Sequence, residues 1–354
     1  MIKVLVVDDT PTVRDFIVQI LSSDSELQVV GTAGNGEEAL LKIESLNPDI
    51  VTMDIQMPKM GGIEATRRIM ETHPLPIIVV SGAIDPTDRR KTFEIMEAGA
   101  LAILNRPFGI GHADHASTAK ELIQTVSALS EVKVVRRWKK IREITDSKNS
   151  DRYWPTVLAP VQIVAIGAST GGPFALRCIL EGLSKNFSLP ILVVQHMSLG
   201  FIEAFIEWLS ACSQIPIHLA THGERPLPGH VYFAPDGYHL GIKKEGHIIL
   251  SESEPVNGLR PSVSYLFQTI AEVFGRGAIG ILLTGMGKDG ADGLKTMKER
   301  GAMTIAQDQK SSIVHGMPGE AIRVGAATHI LPLIEIAGML THIDRVQLGL
   351  KYDK

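Results

Sequence analysis

Through its first 125 residues the chain repeats one pattern: a short run rich in Val and Ile, then a longer stretch whose apolar residues recur at helical spacing. The runs are Lys3–Val7, Leu27–Gly31, Asp49–Met53, Pro76–Val80 and Leu101–Leu104. On the first helix Val13, Phe16, Ile17, Ile20 and Leu21 form the apolar face, with Thr10 as its N-cap and Pro11 in its first turn. Five such β/α repeats predict a doubly wound parallel sheet, because a strand that must re-enter the same sheet in parallel needs a helical crossover. Chemistry in these sheets gathers beyond the carboxyl ends of the strands. The residues directly after each run therefore carry the functional information.

At 354 residues the chain exceeds what one ordinary core organises, so two globular units are expected. The second opens with Val161–Ile166 and continues as α/β, with a turn-rich stretch, His230–Leu250, that reads as a small antiparallel insert. Between the two lies a charged linker holding Arg136, Arg137, Lys139, Lys140 and Arg142, which form a solvated helix face or a contact for an acidic partner. The division is 1–125, 126–158 and 159–346. A formal net charge of -4 argues against a nucleic-acid partner. The opening run meets Asp8 and Asp9 with no small-residue cleavage site behind it, so it is a buried strand and not a signal peptide. Apolar stretches stay well short of the ~18 residues of a membrane span, so no membrane insertion is expected. Cys178 and Cys212 are the only cysteines, too few for a disulfide framework or a thiolate metal cluster, and a cytoplasmic location fits.

Asp8 and Asp9 follow the first run and Asp54 ends the third, so the sheet would bring three carboxylates to one edge. Such a cluster calls for a cation, and oxygen ligands suit Mg²⁺, which would relieve the repulsion and neutralise an incoming phosphoryl group. Asp54 would then be the nucleophile, with the Ser81 hydroxyl at the end of the fourth run as a partner for a phosphoryl oxygen. The alternative is that these acids only cap helices. The segment Asp54-Ile55-Gln56-Met57-Pro58-Lys59-Met60-Gly61-Gly62 resembles the signature of response-regulator receiver domains, over the whole first unit. That resemblance implies a flavodoxin-like (βα)5 fold and phosphorylation of Asp54 by a histidine kinase. It also implies Mg²⁺ held by Asp8, Asp9, Asp54 and the Gln56 carbonyl. The chain departs from the family where a lysine is usual before a proline, which here is Arg106, and where an aromatic switch residue is usual, which is Ile103. A planar guanidinium is not a neutral replacement for an ammonium.

After Val161–Ile166 comes Gly167-Ala168-Ser169-Thr170-Gly171-Gly172-Pro173, with the G-x-S-x-G spacing of a nucleophile on a strand-to-helix turn. A hydroxyl there lies by a helix N-terminus, and the Thr170 N–H is the natural oxyanion donor. A glycine-rich turn opening a helix also cradles phosphates, but no Walker lysine and no complete G-x-G-x-x-G follows. The run Pro190–Val194 leads to His196, a candidate general base, and Ala278–Leu283 leads to a glycine-rich loop with Asp289, which could orient it. Singly, His196 reads as a structural histidine and Asp289 as a helix cap; at three strand ends of one sheet they read as a triad. The chain order Ser, His, Asp is not that of α/β-hydrolases.

These blocks, Gly-Ala-Ser-Thr-Gly-Gly, Gln195-His196-Met197 and Thr284-Gly285-Met286-Gly287-Lys288-Asp289-Gly290, resemble those of the chemotaxis protein-glutamate methylesterases. So do Arg260-Pro261-Ser262-Val263, Ala306-Gln307-Asp308 and His315-Gly316-Met317-Pro318, over Val161 to Ile336. The resemblance implies a second doubly wound, mainly parallel α/β domain with Ser169 as nucleophile, His196 as base, Asp289 as its orienter, and Thr170 and Met286 as oxyanion donors. It implies demethylation of glutamate esters on chemoreceptors with release of methanol, deamidation of receptor glutamines, and no cofactor for the esterase reaction. It also implies that the unphosphorylated receiver covers the hydrolase cleft until Asp54 is phosphorylated by the chemotaxis histidine kinase. A receiver-gated scaffold without enzymatic activity is the alternative. His112 and His115 could ligate a metal but read as polar surface, and Trp138, Trp154 and Trp208 read as packing residues.

Overall fold

The computed structural model describes residues 1–82, 93–132, 134 and 159–349. They form two compact units, one on each side of 135–158. The basic cluster at 136–142, with Trp138 and Trp154, lies outside the described residues.

The first unit is a five-stranded sheet in the order β2-β1-β3-β4-β5, all neighbours parallel. Its strands are β1 (Ile2–Val7), β2 (Leu27–Ala33), β3 (Ile50–Met53), β4 (Ile77–Ser81) and β5 (Ala102–Asn105). The inner strands β3 and β4 are buried at every residue, which is why they read as unbroken apolar runs and not as alternating ones. Helices α1 (Pro11–Leu21), α2 (Gly36–Leu46), α3 (Gly62–Thr72) and α4 (His115–Ser130) cover the sheet. Pro11 opens α1 as expected, but Thr10 provides no side-chain cap: its hydroxyl donates to Asp9 Oδ1. With the hydroxyl turned toward that carboxylate, its oxygen does not accept from a helix N–H, which is what a cap requires. Helix α4 runs on through Ser130 into the stretch expected to be linker, because Val126 and Leu129 continue the buried stripe begun by Leu122. Ile103 packs against the core cluster that includes Leu5, Val51, Met53 and Val79.

The second unit carries a seven-stranded sheet in the order β14-β13-β12-β6-β7-β9-β8, again parallel throughout. Its central strands are β12 (Ala278–Leu282), β6 (Ile163–Ala168) and β7 (Ile191–Gln195), every residue buried. β13 (Met303–Gln307) and β14 (His329–Leu331) extend one side, β9 (Val231–Phe233) and β8 (Ile217–Leu219) the other. The antiparallel insert is the hairpin β10 (His239–Ile242) and β11 (Ile248–Ser251). It begins later than expected, since Val231–Phe233, fully buried, pairs with β7 in the main sheet. Helices α5 (Gly172–Glu181), α6 (Ile202–Ser210), α7 (Val263–Phe274), α8 (Ala291–Glu299), α9 (Met317–Arg323) and α10 (Leu333–Gln347) complete the unit. The winding reverses between β12 and β6, and a crevice at the carboxyl ends of such strands is where doubly wound folds place ligands.

Candidate functional site

In the first unit the sheet order puts the ends of β1 and β3 side by side. The Asp54 N–H donates to the Val7 carbonyl (2.9 Å) and the Asp8 N–H to that of Ala33 (3.1 Å). Carboxylate oxygens of Asp8, Asp9 and Asp54 lie within 4.8 Å of one another, Asp8 and Asp54 buried and Asp9 exposed. Asp8 accepts from the Thr10 N–H (2.9 Å) and pairs with Nη2 of Arg106 at 3.1 Å. Arg106 is itself held by its backbone N–H on the Ser81 carbonyl (2.9 Å), and Ser81 is buried at the end of β4. Gln56 lines an open hollow beside Asp9, with Met57, Pro58, Glu64 and Arg67.

Burial, and then the negative charge of Asp8, push the Asp54 carboxyl up to about 6. Burial also raises Asp8, against the opposing pull of the Thr10 N–H and the Arg106 charge. Two buried carboxylates and one exposed one, with Arg106 on Asp8 and Arg14 held on the Asp8 carbonyl, leave more negative than positive charge among these residues. Clustered hard oxygens of this kind fit an oxygen-ligated dication such as Mg²⁺.

In the second unit Ala168 and Gln195 are register partners, so Ser169 and His196, each one residue further on, stand at adjacent strand ends. Gly171 turns the chain into α5 with φ of +79°, and a Cβ there would come within 2.7 Å of Ile313. The Ser169 backbone is tied to its neighbours: its N–H donates to the Thr284 carbonyl (3.0 Å) and its carbonyl accepts from the Gly172 N–H (2.7 Å). His196 Nε2 lies 3.1 Å from Asp289 Oδ2, an ion-pair distance without the in-line geometry of a hydrogen bond. No hydrogen bond joins the Ser169 hydroxyl to His196 among the described residues.

Asp289 is surrounded by donors. It accepts from the Ser262 hydroxyl (2.8 Å), the Val263 N–H (2.7 Å), the Ser264 N–H (3.3 Å) and Asn257 Nδ2 (3.2 Å), all at or before the N-terminus of α7. Burial alone would raise its carboxyl, but the neighbouring His196 imidazole and the donors on Ser264 and Val263 outweigh it and hold the group well below the usual carboxylate range. Asp289 thus stands at a helix N-terminus and against His196 at once, so the two readings open in the sequence are compatible.

The loop after β12 passes close to Ser169. A Cβ on Gly285 would stand 2.7 Å from that of Ser169, so only glycine fits there. Among the described residues neither the Thr170 N–H nor the Met286 N–H donates to a protein acceptor. Several supporting side chains escaped the sequence reading. Gln195, buried, gives Nε2 to the carbonyls of both Ser169 (2.9 Å) and His196 (2.6 Å). Thr284 and Asn257 act similarly, and a polar residue inside an apolar run is the one signal that marks Gln195.

His112 and His115 hold their own loop. His112 Nδ1 accepts from the Asp114 N–H (3.1 Å) while its ring stacks on Phe108, and His115 Nδ1 bonds the Phe108 carbonyl (2.7 Å). Trp208 packs on Phe205 and lies under the Arg177 guanidinium. Cys178 and Cys212 are free thiols. No helix among the described residues is long and apolar enough to cross a membrane.

A response regulator receiver domain pattern matches residues 4–135 and a CheB methylesterase pattern matches residues 164–340. Fold and sites together define a response regulator whose output domain is of hydrolase type. The protein-glutamate methylesterase/protein-glutamine glutaminase of Nitrosospira multiformis is 54% identical over 345 residues, 97% of each chain. One from Geobacter metallireducens is 51% identical over 344 residues, 97% of this chain and 99% of its own. The solved CheB methylesterase catalytic domain of Thermotoga maritima matches at 39% identity and a TM-score of 0.50, covering 52% of this chain and 100% of that domain. The chain belongs to the protein-glutamate methylesterase/protein-glutamine glutaminase family.

Proposed function

We propose that the protein demethylates glutamate methyl esters on methyl-accepting chemoreceptors in the cytoplasm, releasing methanol, and deamidates receptor glutamines, under control of phosphorylation at Asp54. The observation that carries the reading is the His196–Asp289 pair at the strand end next to Ser169, beside two backbone N–H groups with no protein acceptor. Ser169 Oγ attacks the ester carbonyl carbon and its proton passes to His196. With Nε2 turned to Asp289, Nδ1 is the nitrogen left for that proton. The tetrahedral oxyanion is held by the N–H groups of Thr170 and Met286. Collapse expels methoxide, which takes the proton from His196 and leaves as methanol. Water, activated by the same imidazole, releases the glutamate carboxylate; a glutamine side chain loses ammonia by the same route. Asp289 stays anionic and stabilises the imidazolium. The esterase chemistry uses side chains and backbone alone.

At the receiver, Asp54 accepts the phosphoryl group from the chemotaxis histidine kinase. Asp8, Asp9, Asp54 and the Gln56 carbonyl would hold Mg²⁺, whose charge supports phosphoryl transfer to the carboxylate; Ser81 and Arg106 bind phosphoryl oxygens. The receiver would occupy residues 1 to about 130, where α4 ends, and the catalytic domain 159–346, with the charged linker between. A tenfold activation needs only about 1.4 kcal/mol of bias between covered and open states.

Methanol release from methyl-esterified chemoreceptors tests both halves, with and without a small acyl-phosphate donor and Mg²⁺. Ser169→Ala is expected to lose at least ~10³-fold in rate, and Asp54→Ala to lose the response to the donor but not basal turnover. Near wild-type release by Ser169→Ala sinks the mechanism, and equal labelling of Asp54→Ala by the donor sinks the phosphorylation site.

A further inference from the structure

We propose that the Thr284 hydroxyl is a positioning group for acyl transfer, fixing the two oxyanion donors relative to each other across two loops. This rests on the acyl-transfer reading above. The donors belong to different segments, the turn after β6 and the loop after β12, and an oxyanion is stabilised only if both N–H groups converge on one point.

Each donor is aimed indirectly. The Met286 N–H shares a peptide plane with the Gly285 carbonyl, which accepts from the Gly316 N–H (3.1 Å) and the Met317 N–H (2.9 Å). In a trans peptide N–H and C=O point in opposite directions, so these two bonds turn the Met286 N–H away from 316–317. The Gly285 N–H is fixed as well, on the Val314 carbonyl (3.0 Å). Segment 314–317 therefore sets one donor. The other is joined to it through Thr284. Its Oγ1 donates to the Thr170 carbonyl (2.9 Å), and it accepts from the Val314 N–H (2.9 Å). The Val314 carbonyl lies 3.1 Å away as an alternative acceptor for the same proton.

One hydroxyl thus joins the residue that supplies the first donor to the segment that aims the second. Thr284 is 1% exposed, so water cannot take over its bonds. Its own N–H is held by Gln307 Oε1 (2.8 Å), whose Nε2 donates to the Ser311 carbonyl (2.8 Å). The hydroxyl is therefore presented from a fixed base.

The test uses the full-length protein on methyl-esterified receptors, measuring kcat and KM alongside the rate at which a fluorophosphonate probe labels Ser169. Thr284→Val keeps the shape and removes the bonds. Its kcat and labelling rate should each fall by roughly 10- to 100-fold, with KM within about twofold, since the loss falls on the transition state. Thr284→Ser should recover to within about threefold of wild type. Rates are taken per folded molecule, and Thr284→Ala supplies the same comparison if the valine variant does not fold. A kcat within threefold of wild type in the hydroxyl-free variants, or a loss confined to KM, overturns the proposal. Ser169→Ala separates the two levels: if it stays active, the acyl-transfer reading itself fails; if it is inactive while Thr284→Val is not, only the role of Thr284 falls.

Discussion

Asp54 and Asp289 are both buried carboxylates at strand ends, and their surroundings drive them in opposite directions. Asp289 has donors on every side and is held anionic, while Asp54 shares its pocket with Asp8 and is pushed up to about 6. A carboxyl raised in the fold favours stability at low pH: the benefit is present below the unfolded value of 3.8 and lost as pH rises through about 6. Asp54→Asn should therefore stabilise the metal-free receiver at pH 7.5 by about 1–3 kcal/mol in urea denaturation. The gain should shrink as pH falls from 6 toward 4, and Mg²⁺ should reduce it. A variant less stable than wild type at pH 7.5 would show that Asp54 is not crowded. At this scale the sequence was informative for residues directly after apolar runs, which announce Asp54, Ser169, His196 and Asp289 as candidates. It was silent on their supports. The bond from Thr284 to Thr170 spans 114 positions and that from Asn257 to Asp289 spans 32, so no local spacing marks them.

Among the elements, β12, β6 and β7 matter most, and all three were legible because strands buried on both faces are continuous apolar runs. β8 and β9 were not, being three residues each, β9 inside the turn-rich stretch and β8 ahead of it. Their assignment depends on pairing with β7, a tertiary fact that periodicity does not hold. The cap expected from Thr10 is also absent, because its hydroxyl is turned to donate to Asp9 and its oxygen does not accept from a helix N–H. Between β6 and β7 the tie at the catalytic edge is Gln195, whose single amide holds the carbonyls of both Ser169 and His196. Gln195→Met fills the same space and cuts both bonds. It should lower kcat tenfold or more through misplacement of the two residues, with a modest stability loss of about 1 kcal/mol. Unchanged kcat would mean that the strand register alone aligns Ser169 with His196.

For the whole molecule, the charged composition of 126–158 set the expected division between units, and the hydrogen bonds and ion pair of Ser169, His196 and Asp289 described above all come from the second. Residues 159–354 alone should hydrolyse receptor methyl esters at least as fast as the unphosphorylated full-length protein, without response to a phosphodonor. Activity tenfold below that level would mean that the receiver contributes to the site. The three strands that carry Ser169, His196 and the loop to Asp289 are the innermost of their sheet, paired on both sides and buried throughout. Rearranging their ends would mean breaking the most protected backbone of the unit, while the approach to the site crosses surface loops. A regulator acting on such an enzyme has admission as its accessible variable: it sets how often a substrate side chain reaches the serine, and the turnover of each one admitted remains that of the strands.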